Sequence, residues 1–143
     1  MASSSWFFWA LLSAVFAAAT AIFAKIGIEG VDSDLATLIR AMIIVVVLSA
    51  LVWMMGKWSN PFTLPPRTWL FLGLSGLATG ASWVCYFRAL QIGEASKVAP
   101  VDKFSLVLVA IFAVIFLDER PSLHEWAGIA MVASGVLMLA LKR

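Results

Sequence analysis

The sequence predicts an all-α integral membrane bundle of five transmembrane helices with almost no soluble part. Three observations carry this. Hydrophobic residues make up 63% of the 143 and charged residues only 13%, about half the charge fraction of a water-soluble domain. The apolar residues fall in long runs, at or near the roughly 20 that a spanning helix needs. Tryptophans gather at the ends of those runs, and indoles favour the lipid–water interface.

The first span covers about residues 6–24 and is closed by Lys25. Residues 1–5 carry no Lys or Arg, so a cleaved signal peptide, which needs a basic start, is not expected. After a polar link, the second span covers about 35–56, with Arg40 in its first turn or two. The link 57–67 contains Asn60, Pro61, Pro65 and Pro66, which break one helix and set the start of the next. The third span covers about 68–90, and Gly93-Glu94 marks a short turn.

The fourth span is the informative one. Before Asp118-Glu119-Arg120 the uncharged run is only residues 104–117, too short for about 30 Å of hydrocarbon at 1.5 Å per residue. A span over 97–117 is long enough, but it takes Asp102 and Lys103 into the helix, with Pro100 in an early turn where a missing N–H matters least. The fifth span covers about 123–141, closed by Lys142 and Arg143.

Five crossings place Trp6, Trp9, Trp53, Trp58, Trp69 and Trp126 on one side of the membrane and the two termini on opposite sides; Trp83 lies deep in the third span. The Trp-rich side carries Lys57, Arg67 and Arg120, and the other side carries Lys25, Arg88, Lys97, Lys142 and Arg143. The positive-inside rule then puts the C-terminus in the cytoplasm, with the chain in the cell membrane. So weak a bias also fits insertion in both orientations. The net charge of +2 comes from residues between the spans, not from a basic stripe, so no nucleic-acid partner is expected. One cysteine, Cys85, and one histidine, His124, leave no internal disulfide and no multi-His metal site; no metal or cofactor is expected.

Asp102 and Lys103 are the first candidates for a site, because ionisable residues inside a membrane helix are functional until argued otherwise. Neighbours on a helix point about 100° apart, so the two are not expected to pair with each other. Asp102 would bind a proton or cation, and Lys103 would balance charge or contact an anion. The alternative is a helix that starts late, with both side chains snorkelling to the headgroups. Arg40 divides in the same way between a site and a boundary anchor. Trp83 and Tyr86, three residues apart on one helix face, suit stacking on a ligand or holding a cation, and equally suit packing. Small residues recur at spacing four (Ala10, Ala14, Ala18; Ser13, Ala17, Ala21; Gly76, Gly80), and Gly128 and Gly135 lie in the last span. They point to close helix or dimer packing. Gly73-Leu74-Ser75-Gly76 has the Gly-x-Ser-Gly form of intramembrane serine proteases, but with a single histidine a hydrolase is the minor alternative.

The second half resembles the EamA domain of the drug/metabolite transporter superfamily. Ala89-Leu90-Gln91-Ile92-Gly93-Glu94-Ala95-Ser96-Lys97-Val98-Ala99-Pro100 is similar to that domain's junction of third and fourth spans. Leu117-Asp118-Glu119-Arg120-Pro121-Ser122 resembles the loop that follows, and Gly128-Ile129-Ala130 through Gly135-Val136-Leu137 resembles its last span. Ala24-Lys25-Ile26-Gly27 and Arg40 extend the likeness to the first half. Members often have a proline near Ser105 or Leu106, and this chain has none there. The resemblance implies one half of a ten-helix inverted-repeat architecture, whose two halves enclose a midplane cavity. A lone half then works as a homodimer, with an antiparallel arrangement open to it. The implied function is secondary transport of a small metabolite, as an exporter, by alternating access. Related small multidrug transporters carry a Glu midway along the first span; here that span has no carboxylate, so their proton-coupled export of cationic drugs is not expected. An accessory subunit, or a component of a lipid-linked sugar flippase, remains the alternative reading.

Overall fold

The computed structural model describes residues 3–141. Among them every regular element is helical: α1 (Ser3–Gly27), α2 (Ser33–Met54), a short 3-10 turn (Pro61–Thr63), α3 (Pro66–Ile92), α4 (Ala95–Asp102), α5 (Ser105–Leu117) and α6 (Leu123–Leu141). Five segments are long and apolar enough to cross a membrane, with α4 and α5 together forming the fourth, Ala95–Leu117. Lys142 and Arg143, expected to close the last span, fall outside the described residues. Trp6, Trp53, Trp69 and Trp126 sit in terminal turns of α1, α2, α3 and α6.

The helices overrun several of the expected limits, because a helix continues into the polar interface after its apolar run ends. Pro66 opens α3 at its first position, where its missing N–H is not needed. The second helix instead stops short of residue 56. Gly56 has φ +64°, its N–H donates to the Trp53 carbonyl, and the Lys57 N–H donates to the Val52 carbonyl. This left-handed closure satisfies two orphan carbonyls and suits glycine. Gly56→Ala should therefore lower stability by about 1 kcal/mol, measurable as a lower melting midpoint of the purified protein.

The chain divides into two compact units: Ile22–Ile92, and the chain on either side of it. In the Ile22–Ile92 unit α2 packs against α3. The Asp32 carboxylate caps α2, accepting from the N–H groups of Asp34 and Leu35 at 2.9 and 3.1 Å. The buried residues Ile28, Ser33, Thr37, Phe87 and Leu90 all lie at the end where α2 begins and α3 finishes. Polar links tie the same end together. Lys25 Nζ donates to the Leu90 carbonyl, so this residue, expected as an end anchor, closes the C-terminal end of α3. Gln91 Nε2 donates to the Val31 carbonyl at 2.8 Å. Arg88 and Asp34 form a two-point ion pair, at 3.1 Å through Nε and 2.6 Å through the terminal nitrogen.

In the other unit α6 packs against both α4 and α5. Ser122 and Glu125 cap the start of α6 reciprocally: Glu125 Oε2 accepts from the Ser122 N–H at 2.6 Å, and Ser122 Oγ accepts from the Glu125 N–H at 3.4 Å. Such a box satisfies two donors that a helix start leaves open. At the end of α5, Asp118 takes a left-handed conformation (φ 54°) and its N–H turns back to the Ala113 carbonyl.

The fourth span corrects the expectation of one continuous helix over 97–117. It starts earlier, after Glu94, which moves Pro100 from the first turn into the second. A proline there deprives the Ser96 carbonyl of its donor. Just beyond it, the N–H groups of Lys103 and Phe104 bond to the Pro100 and Val101 carbonyls, and those of Leu106 and Val107 to the Lys103 and Phe104 carbonyls. Each of these bonds reaches three residues back, the tighter 3-10 pattern.

Candidate functional site

The break in the fourth span falls on the two charges that the span length had singled out. Lys103 Nζ lies 3.3 Å from Asp102 Oδ2. This corrects the expectation that neighbours on a helix face away from each other: α4 ends at Asp102 and Lys103 is its cap, so the 100° rule no longer governs the pair. Both side chains are partly exposed. They form an ion pair at a point of loosened backbone bonding.

The second arrangement lies between α2 and α3. An open groove of about 630 Å³ runs along the two helices, lined by Thr37, Ala41, Gly76, Thr79, Gly80 and Trp83 among others. A Cβ added at Gly76 or Gly80 would meet nothing within 4 Å. These glycines therefore hold no helix at close range within the described chain; they leave the groove wall low. Gly128 and Gly135 likewise have open space where a side chain would stand. Thr37 Oγ1 donates to the Ser33 carbonyl and Thr79 Oγ1 to the Ser75 carbonyl, each at 2.8 Å. Their hydroxyl protons are thus spent within the helices, which leaves the oxygens as acceptors. Ser75, the serine of the protease-like motif, is a further wall residue.

Asp34 stands at one end of the groove, already engaged by Arg88. Trp83 is the inner aromatic wall. The guanidinium of Arg40 stacks over its ring at 4.5 Å from the centroid, and lies 5.4 Å from that of Phe87. Trp83 and Phe87 are one helical turn apart and share a face of α3. Tyr86 lies within electrostatic reach of the same guanidinium. The cation expected against these aromatics is thus the chain's own arginine. Arg40 does not itself line the groove; Trp83 connects the two.

Magnitudes set the character of this cluster. Arg40 is the eighth residue of α2, about 10 Å along it by helix rise. An arginine at the centre of a span costs about 2.5–3.5 kcal/mol, less towards the boundary, while a cation–π contact returns about 0.5–2. The rings lie near the guanidinium carbon and offer its N–H donors no oxygen acceptor. Among the described residues no carboxylate lies within ion-pair distance of Arg40. Among them also no cluster of His, Cys, Asp and Glu fits a metal ion.

The model of the EamA-like transporter family matches residues 4–141. The chain belongs to that family. This EamA-like transporter is 58% identical over 139 residues to an uncharacterized transporter in the cobO 3′ region of a Sinorhizobium species, covering 97% of this chain and 99% of that one. It is 32% identical over 131 residues to human solute carrier family 35 member G1, covering 90% of this chain but 35% of the human protein. A shorter likeness, 29% over 70 residues, covers 49% of this chain and 61% of the ArnE protein of Yersinia pestis, named a probable 4-amino-4-deoxy-L-arabinose-phosphoundecaprenol flippase subunit. No solved structure matches the sequence. Family membership and five apolar helices make the chain a multi-pass membrane transporter.

In the sequence Arg40 stood apart from the Trp83–Tyr86 pair; the structure sets Arg40 over Trp83. It keeps Asp102 and Lys103 as a pair of their own in the other unit. The Asp34–Arg88 pair went unforeseen, because each residue alone looks like an ordinary interface charge.

Proposed function

We propose that this EamA-like transporter is a secondary transporter that exports a small metabolite from the cell, working by alternating access as a homodimer in the cell membrane. The observation that carries the reading is Arg40, inside the second apolar span, set over Trp83 beside a groove with low glycine walls. A bundle that merely sat in lipid would gain nothing from a charge and an open groove held there. The homodimer is supported by lengths. The Sinorhizobium relative is matched over 99% of itself and so is a single domain. The human relative, of which 131 aligned residues are only 35%, is long enough to hold two. Two copies in inverted orientation would reproduce the general transporter plan, and the weak charge bias of five basic residues against three is compatible with it. If the chain inserts one way only, its C-terminus is cytoplasmic.

In this reading Asp102 and Lys103 form a switch at the broken span. Asp102 takes up a proton or cation, and Lys103 then exchanges its partner for the substrate or for another acid. The test is solute flux into proteoliposomes with a metabolite panel, comparing wild type with Asp102→Asn and Lys103→Gln. Both variants should transport at least about tenfold more slowly, the loss of one charge-assisted contact. Transport like wild type in both would remove the pair from the mechanism. The likeness to ArnE favours a second reading, an accessory subunit or part of a lipid-linked sugar flippase. It predicts no flux from this protein alone.

A further inference from the structure

We propose that Arg40 is an oxyanion-binding residue, and that the solute carried by this transporter bears a carboxylate or phosphate group which meets the Arg40 fork while its body lies against Trp83. The inference rests on the transport reading and names its substrate class. Arginine has five N–H donors in a rigid plane and no acceptor. Here the guanidinium carbon lies over the Trp83 ring at 4.5 Å, and 5.4 Å from the Phe87 centroid, and neither ring offers an oxygen to its N–H groups. No protein acceptor among the described residues takes a hydrogen bond from it, and no acid pairs with it. The one carboxylate in the adjoining groove, Asp34, is held at two points by Arg88. A guanidinium fork matches the two oxygens of a carboxylate or phosphate better than any other common anion geometry. The stacking also distinguishes Arg40 from a snorkelling anchor: the side chain lies on the rings of the neighbouring helix and is not extended towards the headgroups.

Two sources could supply the oxyanion, a soluble solute or an anionic lipid headgroup. The test uses the full chain in phosphatidylcholine nanodiscs and follows the melting midpoint as benzoate, inorganic phosphate or the neutral isostere benzamide is added. A parallel set of discs contains phosphatidylglycerol. The expected result is a rise with benzoate or phosphate and none with benzamide. Arg40→Gln should need at least about tenfold more anion for the same rise, as the loss of a charge-assisted hydrogen bond implies. Arg40→Lys, which keeps the charge and loses the fork, should fall between. It also stands in should Arg40→Gln not fold. Arg67→Gln, which removes the guanidinium over Phe71, should behave as wild type. A rise with phosphatidylglycerol alone, lost in Arg40→Gln, would place the oxyanion on a lipid and overturn the soluble substrate. No anion effect, or an equal effect in Arg40→Gln, would overturn the site altogether. The two readings fail separately. Anion binding without flux of any solute defeats transport and leaves the site. Flux of neutral or cationic solutes that ignores Arg40→Gln defeats the site and leaves transport.

Discussion

Leucine in place of Gly80 should stop solute movement while the chain still inserts and folds. The position lies on α3 in the groove wall, and a Cβ there would meet nothing within 4 Å. The first atom of a larger side chain therefore meets no neighbour. Helix propensity favours the change as well, since glycine within a helix costs about 0.8–1 kcal/mol relative to good helix formers. The cost falls on whatever must pass or lie in the groove. Filling a site that a ligand has to occupy costs typically 1–3 kcal/mol, which is a loss of about tenfold or more in affinity or flux. The check is flux measured beside the melting midpoint: flux should fall and the midpoint should hold or rise. Gly128→Leu, on α6 in equally open space, is the comparison. If both variants lose flux equally, the effect is general to the bundle and the groove is not the path.

The largest loss of stability should come from Leu90→Ala. Leu90 is the one large side chain that is fully buried among the described residues. It sits where α3 finishes, beside the Lys25 link to its own carbonyl. In water-soluble cores such a truncation costs about 2–5 kcal/mol, part transfer and part cavity. Lipid is as apolar as leucine, so the transfer part shrinks here and packing dominates. About 2 kcal/mol is expected, the low end of that range. Leu77→Ala, at a side chain 74% exposed in the chain, should leave the midpoint unchanged. A similar loss at both positions would mean that the Ile22–Ile92 unit is not held together at its polar end.

Much of the fold was legible because a bilayer imposes a length. The apolar runs and their flanking charges located five spans, and the count that failed for residues 104–117 led directly to Asp102 and Lys103. What was not legible was backbone detail at that point. Whether Pro100 falls in a first or a second turn depends on whether the helix starts at Ala95 or at Lys97, and composition does not decide this. Once the helix breaks, the rule that keeps neighbours apart fails, and Asp102 meets Lys103. The glycines were ambiguous for a related reason. A row of small residues permits close approach of another helix, in this chain or in a second copy, and it equally makes a low wall; the open space at Gly76 and Gly80 within one chain fits both. Pairings across helices were the least visible. Asp34 and Arg88 lie 54 residues apart, and nothing local in either stretch points to the other. For Arg40 and Trp83 a signal did exist: an aromatic deep in the third span and a charge in the first turns of the second, which the structure sets one over the other.

Transport as proposed needs copies of this EamA-like chain and no second protein. The measurement that meets it directly is flux of a carboxylate and phosphate panel into vesicles containing only the purified protein. For at least one solute, uptake should saturate with concentration, exceed that of protein-free vesicles, and fall with Gly80→Leu. Flux that never exceeds the protein-free level until a second protein is added would contradict it, and would make the chain an accessory subunit.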